Sequence, residues 1–141
     1  MSTVTISAQD INKLRQATGA GMMDCRKALT ETNGDFEAAI DWLRKQGQKV
    51  AAKRSDREAK EGVVIAQTTA DNKTGIVVCV SCETDFVSKN DDFLALSNAC
   101  AQLVAEKNPA DVAALSALPY AGKTVEEVRA ELIGRIGENM S

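Results

Sequence analysis

The sequence predicts an α+β protein in which a small helical bundle precedes a β-hairpin with helices packed on one side. Residues 1–47 place apolar side chains at helical spacing between capping and turn signals. Residues 63–68 and 75–82 are short runs rich in β-branched residues, separated by a polar turn. Helical patterns return after residue 90. A hairpin covered by helices on one face is an α+β layer.

Composition narrows the class of protein. The 141 residues, 44% of them hydrophobic, suit one domain or a small domain plus a medium one. The net charge of −3 argues against nucleic-acid binding by the whole chain, and the excess acid lies in residues 61–141. This acidic half suits a basic protein partner or forms a solvated face. No apolar run reaches the ~18–20 residues of a membrane span, and residues 1–4 open no signal peptide. We therefore expect a cytoplasmic protein with reduced thiols and no membrane association.

The first two helices are predicted from their caps. Ser7 with Asp10 forms a capping-box pattern, and Gly19 is placed to end the helix. A second helix should begin near Gly21. A bundle this short is only marginally stable by itself and is typical of a docking module. The predicted inward side chains are Ala8, Ile11, Leu14 and Thr18 on the first helix and Met22, Cys25, Ala28 and Leu29 on the second.

A third helix, capped by Asp35, should end before Gly47. Residues 48–61 are then predicted to be a basic linker, helical in part, and residues 62–141 the second domain. Residues 44–60 carry seven basic and two acidic side chains. A solvated connector is favoured over an RNA contact because no aromatic residue is interleaved to stack on bases. The predicted inward face of the third helix is Phe36, Ala39, Ile40 and Leu43.

In the second domain, Val63–Thr68 and Gly75–Cys82 are predicted to pair as a hairpin. Asn90 should start a helix that Asn108 and Pro109 end. A short helix follows at 111–118, and a second capping box, Thr124 with Glu127, starts the last helix. The predicted inward side chains are Phe93, Leu96, Cys100, Leu103 and Val104 on the first of these helices and Val125, Val128, Leu132 and Ile136 on the last.

Cys79 and Cys82 share the spacing of metal and redox motifs. A four-thiolate zinc site needs a second pair, but Cys25 and Cys100 are far apart in sequence and the chain has no histidine. Strand alternation puts Cys79 and Cys82 on opposite faces, and a thioredoxin-type pair opens a helix rather than ending a strand. We therefore expect both thiols to be buried, reduced and metal-free, and a redox enzyme is the least favoured interpretation.

No nucleotide-binding glycine motif is present, and without histidine the commonest general base is missing. The sequence therefore predicts a protein that is not an enzyme and needs no cofactor.

Two clusters are candidate recognition sites. Thr84-Asp85-Phe86-Val87 follows the most apolar run. Phe86 is therefore either buried under its own loop or exposed for contact with a partner, and the pattern alone favours burial. Met22 and Met23 are adjacent on a helix, about 100° apart, so one of them should lie at the margin of the core or outside it. Core filling is the default role of methionine, but its pliable side chain is also common on recognition surfaces.

Four motifs together resemble the elongation factor Ts family, guanine-nucleotide exchange factors for the GTPase elongation factor Tu. Thr84–Val87 is similar to the family's TDFV signature, and Leu14–Leu29 to its N-terminal signature. Asn33–Asp35 and Ile136–Asn139 match in order and approximate spacing. The resemblance implies an N-terminal fragment: a front domain of the ubiquitin-associated type and the first half of the family's core.

The resemblance also implies residue roles. The loop would intrude beside the Mg²⁺ site of GDP-bound or nucleotide-free elongation factor Tu, and the bundle would grip a helix of the GTPase domain, with no direct nucleic-acid contact. The competing interpretation is a helical adaptor that binds a peptide or a ubiquitin-like surface and buries Phe86 in its own core. The implied contact residues are Thr84, Asp85, Phe86 and Val87 in the loop, Arg15, Met22 and Met23 in the bundle, and Ile136 and Gly137 as a further contact.

Overall fold

Helices and two short hairpins alternate along residues 4–141, the part of the chain that the computed structural model describes. Residues 1–3 of the predicted helical domain lie outside the described residues. The elements are α1 (Ala8–Thr18), α2 (Met22–Glu31), α3 (Phe36–Arg54), β1 (Glu61–Thr68), β2 (Gly75–Cys82), α4 (Asp85–Ser88), α5 (Asp91–Lys107), α6 (Val112–Ser116), β3 (Pro119–Tyr120), β4 (Lys123–Thr124) and α7 (Val125–Ile136).

The bundle of α1, α2 and the first half of α3 forms as the caps predict. Ser7 and Asp10 make both bonds of the capping box, and Gly19 ends α1 in the left-handed region at φ 70°. Two predicted inward residues are wrong, because Ala8 and Met22 are exposed. Each is the first residue of its helix, where the neighbouring helices give no cover. The buried bundle residues are Leu14, Cys25, Ala28, Leu29 and Ala39.

The third helix is longer than predicted: α3 continues through Gly47 to Arg54. Glycine commonly ends a helix, and inside a helix it costs about 1 kcal/mol relative to alanine. Tertiary packing overrides it, because Gly47 is buried against α7, where a Cβ built on Gly134 would lie 2.5 Å from the Gly47 Cα. Residues 48–54, predicted as linker, are therefore helical, and Val50 packs against the second core. The division into two domains remains a prediction.

The second core lies between the β1–β2 hairpin and helices α5 and α7. The strands are antiparallel, with Val63 opposite Val80 and Val64 opposite Cys79. Phe93 of α5 and Ile133 of α7 are fully buried in this core. The predicted inward faces of both helices pack here as expected. Ala130 and Ile133, which are also buried on α7, were not predicted.

The thiol prediction is partly wrong, because Cys79 is exposed while Cys82 is buried. The helices cover one face of the hairpin only, and Cys79 lies on the other face with Val64 and Val77, which are also exposed. The two thiols do point to opposite faces, as alternation requires.

Two smaller differences lie between α5 and α7. Helix α6 is shorter than the predicted 111–118, because Asp111 is its N-cap. The β3–β4 hairpin was not predicted; Ala121 and Gly122 have φ values of 52° and 78°, as a two-residue hairpin turn with left-handed central residues requires.

Candidate functional site

The segment 83–88, here called the Phe86 loop, lies between β2 and α5 and contains the single turn α4. Its side chains point in different directions. Phe86 is 83% exposed, whereas the neighbouring Val87 is only 7% exposed and belongs to the second core. The tucked position that the pattern alone favoured is therefore wrong, and the ring is offered to solvent.

Asp85 is the second exposed group of the loop. Its carboxylate lies 3.5 Å from the ammonium of Lys89, and both side chains are more than half exposed. Exposed pairs of this kind contribute little to stability, so Asp85 is free to exchange this partner for another. An acid and an aromatic ring thus stand side by side on the surface.

The start of the loop is held by Glu138, which follows α7. The backbone N–H groups of Glu83 and Thr84 donate to its Oε1 at 3.1 and 2.9 Å, and the Thr84 hydroxyl donates to Oε2 at 2.7 Å. The Cys82 thiol donates to the Thr84 carbonyl at 3.2 Å. Burial raises the pKa of this thiol, and the nearby Glu138 carboxylate raises it further. Every polar group of Thr84 is therefore engaged.

A reciprocal set of bonds runs from Glu83 to the segment after α7. The Glu83 carboxylate accepts the N–H of Asn139 at 2.7 Å and lies 3.6 Å from the Arg57 guanidinium. The buried Asn139 amide donates to the Arg57 carbonyl at 2.7 Å. Ser81 and Ser141 exchange two backbone bonds of 2.7 and 3.0 Å, so this segment runs antiparallel to the end of β2. The chain after α3, the start of the loop and residues 138–141 are thus tied together.

The bundle presents its own exposed apolar group at the start of α2. Met22 is 56% and Met23 71% exposed. The expectation that one of them lies outside is exceeded, because neither belongs to the bundle core. Arg15 on α1 is also exposed. The structure therefore leaves all three predicted bundle contacts accessible.

The two further predicted contacts, Ile136 and Gly137, close α7. Ile136 is half-buried against the second core, and Gly137 ends the helix at φ 87°. Their role toward a partner stays a prediction. Sequence reasoning missed the function of the next two residues, Glu138 and Asn139, as ties to the Phe86 loop. The signal was present, because both motifs had been recognised, but nothing in the sequence indicated that they contact each other.

Residues 4–141 contain neither a metal-binding cluster nor a membrane-spanning helix. The side chains described there form no group of three or more His, Cys, Asp or Glu residues able to hold a metal ion. Among the helices of the same range, none has the length and apolarity to cross a membrane.

Comparisons with known proteins identify the class. A family profile described as "Elongation factor TS" matches residues 83–141. The elongation factor Ts of Thiobacillus denitrificans is 56% identical over 136 residues, which cover 96% of this chain and 47% of the relative. That of Herminiimonas arsenicoxydans is 57% identical over 136 residues (96% and 46%), and that of Cytophaga hutchinsonii 54% over 138 residues (97% and 50%).

The chain thus spans about half the length of the curated relatives it matches. A small α+β chain with an exposed aromatic loop and relatives of this kind is similar to one class of protein, the elongation factors. Over 96% of its length it is similar to elongation factor Ts, which confirms the resemblance of its motifs.

Proposed function

We propose that the chain is a binding factor, not an enzyme, that docks on the GTPase elongation factor Tu and promotes the release of GDP. The bundle surface around Met22 and Met23 supplies one contact, and the Phe86 loop supplies the other. The expected site of action is the cytoplasm, where translation factors work, and no nucleic acid takes part in the contact.

The exposure of Phe86 is the observation that supports this proposal most. Only 4% of the residues are aromatic, and the others described, Phe36, Trp42, Phe93 and Tyr120, are buried or half-buried. Burying one phenylalanine side chain stabilises by roughly 1.5–3 kcal/mol. The free protein does not gain this stabilisation from Phe86, because the ring is exposed. A partner that buries the ring would gain it as binding free energy.

The mechanism follows from how GTPases hold nucleotide. Phosphate-loop amides and a Mg²⁺ ion bind the phosphates, and Mg²⁺ requires near-ideal octahedral geometry at ~2.0–2.1 Å. Phe86, wedged between side chains beside that ion, shifts its ligands, while Asp85 accepts hydrogen bonds from the rearranged partner. By linkage, the factor weakens GDP by the same ratio as GDP weakens the factor, typically about 5–150-fold. Exchange then proceeds through a short-lived ternary complex.

Release of a fluorescent GDP analogue from elongation factor Tu tests the proposal. With unlabelled GDP in excess, the release rate should rise with the concentration of this chain and reach a plateau. The control is the same mixture without the chain, which gives the spontaneous rate. If a separate titration shows binding but the release rate stays at the spontaneous value, the chain docks on the GTPase without promoting exchange, and the proposal fails.

The adaptor interpretation loses its main premise, since it required Phe86 in the core. Its bundle would still bind through Met22 and Met23, so the absence of release with intact binding is the result that favours it. We also propose that the bundle is similar to ubiquitin-associated domains. Adding ubiquitin as a competitor to the binding titration against elongation factor Tu tests whether the bundle binds a ubiquitin-like surface.

A further inference from the structure

We propose that Glu138 is the positioning residue of the Phe86 loop, the group that holds it in its outward conformation. The consequence for nucleotide release rests on the proposed function, whereas the effect on the loop does not. Glu138 lies 52 positions after Phe86 in the printed sequence and contacts only the start of the loop. It therefore acts through the backbone of Glu83 and Thr84.

The carboxylate accepts three hydrogen bonds from two consecutive residues of the loop. Bonds to an ionised acceptor are roughly twice as strong as neutral ones. The Thr84 hydroxyl is diverted by this contact: Thr84 is the N-cap residue of α4, yet its side chain makes no capping bond. The Thr84 side chain thus ties the loop to Glu138 instead of capping α4.

A second anchor lies three residues further on. Val87 is buried in the second core, so Thr84 and Val87 are held while Asp85 and Phe86 between them remain outside. A helix of four residues is far too short to be stable by itself. Without the three Glu138 bonds, Thr84 keeps only the contacts of its carbonyl group. The turn would then loosen between Glu83 and Val87, and the ring would sample other positions. A partner would then have to order the loop as it binds, at a cost in affinity or rate.

The carboxylate is itself placed by the chain around it. Gly137 ends α7 in the left-handed region, and the next residue therefore leaves the helix axis toward β2. Asn139 is fixed by the Glu83 carboxylate and the Arg57 carbonyl. The Glu138 backbone thus lies between a helix end and a bonded residue, so its side chain reaches Thr84 from a fixed position.

Amide hydrogen exchange by NMR on the free chain tests the loop directly. In Glu138→Ala, protection of the Glu83 and Thr84 amides should fall by about tenfold or more, because both lose a charged acceptor. Glu138→Gln keeps one oxygen that can accept these N–H groups, so its protection should lie between wild type and alanine. Glu106→Gln, which removes an exposed carboxylate on α5, should leave both amides unchanged.

The second readout is release of fluorescent GDP from elongation factor Tu. The maximal rate should fall in the order wild type, Glu138→Gln, Glu138→Ala, by about tenfold overall. The half-saturating concentration should stay within about threefold, because the bundle contact is distant and independent. A merely structural role would instead lower the concentration of active protein and leave the maximal rate of the folded fraction intact.

Two results overturn the inference. Unchanged protection of Thr84 in Glu138→Ala shows that Val87 and the contacts of Glu83 fix the loop without the Glu138 carboxylate. Reduced protection with a wild-type maximal rate shows that loop order has no bearing on release. If the wild-type chain does not accelerate release at all, the exchange function is what fails, and the NMR measurement alone decides whether Glu138 positions the loop.

Discussion

At the scale of single residues, Phe86 and Phe93 show how burial decides the role of the same side chain. The two lie seven positions apart, yet Phe86 is 83% exposed and Phe93 fully buried. Phe93 packs under the hairpin, where its loss leaves a cavity. Phe86 has no such contacts to lose. Replacing each ring therefore separates stability from the proposed role in GDP release within one short segment.

Phe86→Ala is expected to change the free energy of unfolding by less than about 0.5 kcal/mol, as at other exposed positions. Phe93→Ala, the matched control, should cost about 3–5 kcal/mol. Urea unfolding of both variants measures the difference. In the GDP-release assay, Phe86→Ala should retain binding but lose rate. A large loss of stability in Phe86→Ala, with release by the folded fraction intact, would contradict the wedge role.

At the scale of elements, the contact between α3 and α7 determines how far α3 extends. Gly47 and Gly134 let the two helix backbones approach closely. Arg44 on α3 adds an ion pair with Glu127 on α7, 3.4 Å apart. The caps could be predicted from sequence because Ser7 and Asp10, or Thr124 and Glu127, lie within four residues of one another. The α3–α7 contact could not, because it joins residues more than eighty positions apart.

Gly134→Ala should destabilise the protein by about 1–3 kcal/mol, even though alanine favours helix. The added Cβ would lie 2.5 Å from the Gly47 Cα, and this backbone atom can move only if the helices separate. Gly75→Ala is the control, since the nearest atom to its Cβ is the Gln67 carbonyl oxygen at 4.0 Å. Thermal unfolding compares the two. If Gly134→Ala is as stable as wild type, α3 and α7 can move apart without a loss of unfolding free energy, and the prediction is wrong.

The cap of α7 makes stability depend on pH. The backbone N–H of Thr124, with help from its hydroxyl and from Arg44, lowers the pKa of Glu127 below its ordinary value of 4.5. A lowered folded-state pKa contributes stability above the unfolded-state value, and this is lost as the pH falls through the folded value. The stability difference between wild type and Glu127→Gln should therefore shrink below about pH 4.5.

Urea unfolding at a series of pH values measures this difference. Glu106→Gln controls for the loss of one negative charge from the chain. If the difference between wild type and Glu127→Gln stays constant down to the lowest pH at which the protein folds, the cap does not carry the pH dependence.

At the scale of the whole molecule, continuous α3 links the bundle surface around Met22 and Met23 to the core that carries the Phe86 loop. The sequence drew attention to both exposed regions because each lies within a short motif; their role as contacts stays a prediction. It did not predict that Met22 would be exposed, since helical spacing places it with Cys25 and Leu29 and does not show where the covering helices stop. Nor did it predict that residues 138–141 hold the loop.

On the proposed function, the Met22–Met23 surface and the Phe86 loop make separate contributions to the complex with the GTPase. Met22→Ala and Met23→Ala should each weaken affinity for the GTPase while leaving the free energy of unfolding within about 0.5 kcal/mol of wild type. Leu29→Ala, on the same helix but buried, should cost about 2–5 kcal/mol. Titration against elongation factor Tu and urea unfolding measure the two effects. Destabilisation by Met22→Ala as large as by Leu29→Ala would place that side chain in the core.

The outward face of the hairpin gives the chain a natural labelling position. Cys79 is exposed, while Cys25, Cys82 and Cys100 are buried and burial raises the pKa of each of those thiols. Thiolate is the reactive form, so a maleimide dye should couple first at Cys79. The native sequence can therefore carry one fluorophore without cysteine removal. Because Cys79 lies on β2, a few residues before the Phe86 loop and facing away from the core, such a dye would report by energy transfer the arrival of a partner that carries an acceptor dye.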